Sequence, residues 1–397
     1  MRICLVYDCL FPWTKGGAER WYRVLADELM RAGHEVTYLT RRQWGPDDAP
    51  DIPGVRVVVV SPGGDLYDAG GSRRIDSALA FTRGVTTHLL RNRRRYDVVH
   101  VCQVPVMTVP AARLALLGSG VQVGVDWLEV WTPAAWRGYL GTVRGVVAAA
   151  VQQAAVLASP LSFPISEHTA ARLRERGVRG PVYVLPGLVH DAVTTQPTLA
   201  VPDTPHVVYV GRHIPDKRVE TVPAAVARAR AALPGLHATV LGDGPSRPEV
   251  LAEVNRLDLG DVVAAPGFVE QDVLDATLRS ASCLVLPSSR EGYGVVVVEA
   301  AARGTPSVVV AGPDNSAAEL VVDGVNGVVA ASTEPAVLAA AIIQVVKAGA
   351  TLRDRTARWS ADGADARSAR TSAAMICAVY EQRRGSRRSR ARGRYRR

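Results

Sequence analysis

Lysine is nearly absent from this chain: Lys15, Lys217 and Lys347 stand against 44 arginines. Against that scarcity, a lysine retained in a loop is mildly informative. Cysteine is scarce too. Cys4, Cys9, Cys102, Cys283 and Cys377 are odd in number, widely scattered and include no Cys-x-x-Cys pair. That argues against a disulfide framework or structural zinc and suits a reducing compartment. The longest apolar stretch, near 141–165, is interrupted by Arg144, Gln152 and Gln153, so it reads as a buried helix plus a strand rather than a membrane span. The opening MRICLVYDCL meets Asp8 too early to leave the apolar core of a secretory signal. A soluble cytoplasmic protein is the expectation. There is no fixed-period repeat of the solenoid kind.

What the chain does contain is globular: 48% apolar, 21% charged and 6% aromatic side chains over 397 residues, enough for two ordinary domains. Its formal charge of +9 is unevenly spread. Residues 383–397 hold nine arginines and no acid, residues 1–200 sum to +5 and residues 201–382 to −5. The body is therefore neutral overall, which weakens any specific nucleic-acid reading. The Arg-rich tail, 381–397, reads as disordered and solubilising, with weak attraction to polyanions. Arg91, Arg93, Arg94 and Arg95 close a helix, where cations suit the macrodipole; a peripheral contact with the inner face of the cell membrane is allowed. The preference for Ala and Arg over Lys is that of a GC-rich bacterial genome.

Short β-branched runs alternate with amphipathic helical stretches. ICLVY (3–7), EVTYLT (35–40), VRVVVV (55–60), DVVHV (97–101) and VQVGV (121–125) form a first series. HVVYV (206–210), HATVLG (237–242), VVAAPG (262–267), CLVLP (283–287) and SVVVAG (307–312) form a second. Continuous apolar strands separated by helices imply parallel sheets covered on both faces. The Pro- and Thr-rich stretch around 186–205 divides the series, giving domains 1–190 and 206–380 with a linker at 191–205. Ligands of such sheets bind at the strand C-terminal ends.

Three segments at strand ends carry chemistry. KGGAER (15–20) puts Gly16 and Gly17 at a helix start, where backbone N–H groups favour an anion, although an ordinary tight turn explains them equally well. VGRHIPDKR (210–218) brings Arg212 and Lys217 off one strand, a fork and a point charge able to neutralise a diphosphate. PSSREGYGVVVVEAAARGTP (287–306) places Glu291 at a strand end and Glu299 eight positions later in a helix. The N–H groups of Gly292, Tyr293 and Gly294 lie at the dipole-positive start of that helix. Carboxylates accept from sugar hydroxyls and N–H groups donate to phosphate oxygens. LGDGPSR (241–247) lacks the third glycine of a dinucleotide fingerprint, which disfavours a nicotinamide enzyme.

Together, GGAER, GR with Lys217, GDGP at 242–245, EGYGVVVVE at 291–299 and ELVVDGVNG at 319–327 resemble the retaining glycosyltransferases of family 4 over roughly residues 1–345. The resemblance implies the GT-B fold, an α/β architecture of two Rossmann-like parallel-sheet domains facing across a cleft, the first binding the acceptor and the second the nucleotide sugar. It implies a UDP or GDP sugar as co-substrate, a hydroxyl-bearing acceptor (glycan, lipid-linked or small molecule) and no other cofactor. Arg212 and Lys217 would stabilise the departing diphosphate, and Gly16 and Gly17 would line its side of the cleft. Glu291 would contact the transferred sugar, with the N–H groups of 292–294 near its hydroxyls and the β-phosphate. Glu299 would hold the ribose, and Phe268 and Val269 would lie beside the base. The family usually has a His near the sugar; here Asp126 stands in its place, and His100 matches another recurrent position.

No D-x-D pair follows a comparable strand, in keeping with a family that needs no metal. Six of seven tryptophans lie in the first half, and Trp13 and Trp127 are candidates for the acceptor side, as ring faces can cover a sugar or an aglycone. Two rivals remain at this point: a nucleotide-sugar epimerase on the same fold, and a non-catalytic nucleic-acid or polyanion binder acting through the tail. The sugar, the base, the acceptor and the number of subunits are left open.

Overall fold

A computed structural model describes residues 1–45, 47–68, 73–188 and 197–394. The chain forms two compact units. Among the described residues, the first comprises 1–68, 73–188 and 366–394, and the second 197–365.

The first unit contains β1 (Arg2–Val6), β2 (Glu35–Arg41), β3 (Val55–Ser61), β4 (Val98–Cys102), β5 (Gln122–Trp127) and β6 (Ser162–Pro164). Its helices are α1 (Gly17–Arg31), α2 (Ile75–Asn92), α3 (Thr108–Ala115), α4 (Pro133–Leu140), α5 (Thr142–Ala158) and α6 (Glu167–Glu175). All six strands are parallel, in the order β3-β2-β1-β4-β5-β6. Ile3 pairs with Val36 on one side and Val98 on the other, so the Val- and Ile-rich runs sit deep in the sheet. The chain steps outward from β1 through α1, then crosses back and steps the other way through α2, α3 and α5. Right-handed crossovers put those two groups on opposite faces. Accordingly α2 packs on α3 and α3 on α5, while α1 packs on the C-terminal helix described below.

The second unit repeats the pattern. It holds β7 (His206–Val210), β8 (His237–Leu241), β9 (Val263–Gly267), β10 (Cys283–Leu286), β11 (Arg290–Glu291), β12 (Ser307–Val310), β13 (Asp314–Asn315) and β14 (Gly327–Ala330). Its helices are α7 (Thr221–Ala229), α8 (Arg247–Arg256), α9 (Gln271–Ser280), α10 (Val295–Ala302) and α11 (Pro335–Asp362). The main sheet is β14-β12-β10-β7-β8-β9, and β11 with β13 makes a small pair beside it. α11 is long and apolar enough to cross a membrane by length and composition. It departs from helical geometry at Gly349 and buries Leu338, Ile342 and Val345 in this unit's core.

The domain boundaries differ from expectation at the C-terminus. The second unit ends at Asp365 rather than 380, and α12 (Ala369–Arg394) returns to the first unit. The physical reason is apolar: Ala373, Ile376, Val379 and Tyr380 are buried there. The turn is also tied down, with Ser372 Oγ donating to the Gly187 carbonyl (2.5 Å). The tail expected to be disordered from 381 continues as helix to Arg394, arginine being a good helix former. Residues 395–397 lie outside the described residues, as do 191–196 of the expected linker. Residues 197–205 form no strand or helix and are held to the second unit by Thr198, which bonds to Arg303 and Arg353.

Candidate active site

In the second unit β7 lies beside β10, and the chain leaves these two neighbours in opposite directions across the sheet. Such a switch point leaves a crevice at the strand C-terminal ends. The loop after β7 carries Arg212 and Lys217; the loop after β10 carries Glu291 to Gly294.

The first loop is built on glycines. A Cβ on Gly242 would stand 1.9 Å from the Gly211 carbonyl oxygen, and one on Gly244 would stand 2.4 Å from that of His213. Both glycines have positive φ, so GDGP is the turn that lets two loops touch through their backbones. His213 N donates to Asp243 O (2.8 Å) and Ser246 N to His213 O (2.8 Å). The His213 ring is fully buried, and burial above all holds it below the ordinary imidazole value, hence neutral.

A short 3-10 turn, Pro215–Lys217, then delivers Lys217. Its Nζ lies 2.6 Å from Glu291 Oε1 and donates to the Arg290 carbonyl (3.2 Å). Ser288 Oγ donates to the same carboxylate oxygen (3.0 Å). Two further ties hold the turn to β11. Ser289 donates its N–H to the Asp216 carbonyl (2.9 Å), and Arg290 pairs with the Asp216 carboxylate (3.1 Å). Behind them Asn315, almost fully buried, donates to the carbonyls of Ser288 (2.9 Å) and Val310 (2.8 Å) and accepts from Ala317 N (3.0 Å). One amide thus fixes the ends of β10 and β12 together.

Gly294 is the N-cap of α10 at φ 90°, ψ 50°, with no side-chain cap. A Cβ there would meet Ala317 Cβ at 2.6 Å. The first N–H groups of α10 therefore begin four residues after Glu291 with no side-chain cap. Gly292 and Tyr293 are buried, and Glu299 is half-buried farther along α10. Tyr209 donates to the Arg212 carbonyl (3.0 Å); burial first, and then the charge of Glu291, pushes its phenol well above the ordinary value. Arg212 is exposed, Phe268 is 59% exposed just after β9, and Val269 is half-buried.

The first unit treats its expected residues differently. Gly16 caps α1 in extended backbone, with Gly17 exposed as the first helical residue. Glu19 of that first turn accepts from Tyr7 Oη (2.9 Å). Trp13 donates to Asp48 (3.0 Å) and leans on Trp44 (5.5 Å between rings). Asp126, Trp127 and His100, expected on the acceptor or sugar side, are sealed inside with no exposure. Asp126 Oδ1 lies 2.9 Å from His100 Nε2, and its Oδ2 accepts from Trp21 Nε1 (2.8 Å). His100 Nδ1 contacts Tyr380 Oη at 2.7 Å. Trp21 of α1 and Tyr380 of α12 thus pack against β4 and β5. Nothing in the sequence reading brought α12 back here. Gly124 is its one available trace, since a Cβ there would stand 1.9 Å from Tyr380 Oη.

Other positioning residues were also missed. Ser288, Asn315 and the Asp216–Arg290 pair look like ordinary loop residues in sequence. Gln152, noted as a break in an apolar run, accepts from Trp131 N (2.9 Å) and Trp136 Nε1 (3.1 Å) and so fixes an aromatic cluster.

These folds and motifs match known families. Residues 16–187 match the glycosyl transferase 4-like domain, and residues 194–362 match glycosyl transferases group 1. A glycogen synthase from Mycobacterium tuberculosis is 28% identical over 378 residues, covering 90% of this chain and 89% of that one. The alpha-D-kanosaminyltransferase of Streptomyces kanamyceticus is 32% identical over 127 residues, about a third of each chain. Among solved structures, sucrose-phosphate synthase from Thermosynechococcus elongatus superposes with a TM-score of 0.74 at 21% identity, covering 97% of this chain and 99% of that one. Anabaena HepE in complex with UDP gives 0.73 at 16%, covering 96% and 100%. Two parallel-sheet α/β units of this kind make up the GT-B fold. The chain belongs to the GT-B glycosyltransferases of family 4.

Proposed function

We propose that the protein moves a sugar from a nucleoside diphosphate to a hydroxyl acceptor with retention at the anomeric carbon. The observation that carries this reading is the contact of Lys217 with Glu291 at the uncapped start of α10. A cation, a carboxylate and a helix N-terminus in one place suit a sugar diphosphate, whose two halves need opposite partners. Lys217 and Arg212 meet the charge that builds on the leaving phosphate. Such preorganised groups contribute most where water is excluded. Glu291 orients the sugar hydroxyls, Glu299 the ribose, Phe268 and Val269 the base, and Gly16 and Gly17 the diphosphate from the first unit.

The C1–O bond to phosphate breaks and a C1–O bond to the acceptor forms on the same face. The acceptor proton passes to the leaving phosphate, so no strongly basic side chain is needed. UDP or GDP is the favoured carrier; HepE, a structural neighbour, was solved with UDP. Thermal unfolding against UDP, GDP, ADP, dTDP and NAD tests the reading, with Lys217→Ala in parallel. A ligand at about 100 times its dissociation constant adds about 2.7 kcal/mol. One nucleoside diphosphate is expected to shift the wild type and not the variant. An equal shift in both would remove Lys217 from the diphosphate.

A further inference from the structure

The apolar stretch that reads in sequence as a buried helix is buried on one side only. On α5, Val143 is 78% exposed, Val147 58% and Val146 54%, and Leu157 follows on the same side. Val143, Val147, Ala150, Ala154 and Leu157 repeat at helical spacing, forming one stripe along the helix. The opposite side packs so tightly on α4 that a Cβ at Gly145 would stand 2.5 Å from Arg137 Cα.

The neighbouring helices of the same layer do likewise. Leu79 and Leu90 of α2 are exposed, as is Leu114 of α3. Of the large hydrophobic side chains exposed on the described residues, about half belong to this one layer or its immediate ends. Single exposed apolar residues are ordinary; their concentration on one layer is not.

This layer is also strongly cationic. From α2 to α5, the helices and the 3-10 turn Arg93–Arg95 carry eight arginines, no lysine and a single acid, Asp76. Beside α5, α6 is balanced with two of each; on the opposite face α1 carries three acids and three arginines, and α12 eight arginines and one acid. Arg83 lies between Leu79 and Leu90 on one side of α2, and Arg144 stands one turn before Val147.

We infer that the α2–α3–α5 layer docks on an anionic lipid surface, the valines and leucines entering the interface while the arginines meet the headgroups. An arginine stem beside an apolar side chain is suited to that boundary. A second copy is disfavoured, because the layer would set its excess positive charge against itself. A nucleic acid is disfavoured because aliphatic side chains offer no stacking faces. The inference is independent of the transferase reading. It also differs from attraction through the tail: α12, which leads into the tail, packs on α1 of the opposite layer.

Flotation of the full chain with vesicles tests it, using phosphatidylcholine alone and phosphatidylcholine with about one third phosphatidylglycerol. The wild type is expected to float with the anionic vesicles and to release as salt rises. Val143→Asp with Val147→Asp lowers partition at least about tenfold, with unfolding temperature and nucleotide response unchanged. Arg83→Ser and Arg144→Ser lower it about fivefold each. A full-length chain with the nine tail arginines changed to serine still floats.

Failure of the wild type to float would overturn the inference, as would equal flotation of the double aspartate variant. Flotation lost with the tail arginines but kept in that variant would assign binding to the tail instead. A dimer in light scattering that the double aspartate variant dissociates would make the layer an interface between copies.

Discussion

Both units lay down six parallel strands and reverse direction between two central neighbours, β1 with β4 in one and β7 with β10 in the other. At the second reversal, charged side chains stand in loops, held by backbone ties from Asp216, Ser289 and Asn315, and they meet within hydrogen-bonding distance. Near the first, the conspicuous polar residues lie within the strands, where α1 and α12 close over them. One strand order thus yields an open constellation in one unit and a sealed network in the other. What decides is whether the group follows the strand, where it can face a ligand, or lies within it, where the next helix covers it.

That contrast predicts a split between turnover and stability. Lys217→Ala is expected to lower turnover on the order of 10²–10³, with stability falling by no more than about 2 kcal/mol. Initial rates and denaturant melts on the same preparation separate the two. Asp126→Ala is the opposite case. It leaves Trp21 Nε1 and His100 Nε2 buried without their partner, at a cost of about 3 kcal/mol. Turnover of the folded enzyme should hold. A collapse of turnover at unchanged stability would return Asp126 to the ligand and break the comparison.

Asn315→Ala lies between these cases, because its amide is sealed yet supports the open loop. Two carbonyls and an N–H lose their partner, which should cost about 2–3 kcal/mol. Turnover should fall too, since Ser288 and Glu291 lose their anchor. Nucleotide protection in thermal unfolding, measured well below the melting point, tells a displaced loop from a merely less stable one.

The two series of valine-rich runs made both sheets legible, and glycines and charged residues at strand ends marked the second unit's loops. A strand buried on both faces writes its identity into consecutive residues, and a loop that must touch another backbone writes it into glycine. Pairings set by long-range packing left no such trace. Tyr380 reaches His100 across 280 positions, and only a glycine opposite its hydroxyl hints at the meeting. α5 misled for a related reason: apolar composition records that a helix has an apolar face, not what covers it. β6 escaped notice because three residues carry too little periodicity.

The smallest predicted effect asks whether the difference belongs to the units or to the ends of their strands. His206 opens β7, at the sheet end opposite the loops that hold Lys217 and Glu291. Its ring stacks on His237 at 4.3 Å and contacts Thr239 Oγ1 at 2.9 Å. Burial first, then the charge of His237, lowers its pKa to about 4. The unfolded chain takes up a proton as pH falls through the ordinary value near 6.5, while the folded chain resists until about 4. The stability of keeping His206 neutral is therefore complete above about pH 7 and is lost as pH falls toward 4. His206→Gln removes that slope. Denaturant melts at pH 7.5 and pH 5 should show the wild type losing about 1–2 kcal/mol more than the variant. Turnover relative to the folded fraction should not follow it. If it does, the two ends of the sheet are coupled, and the division between sealed and open groups does not run along the strands.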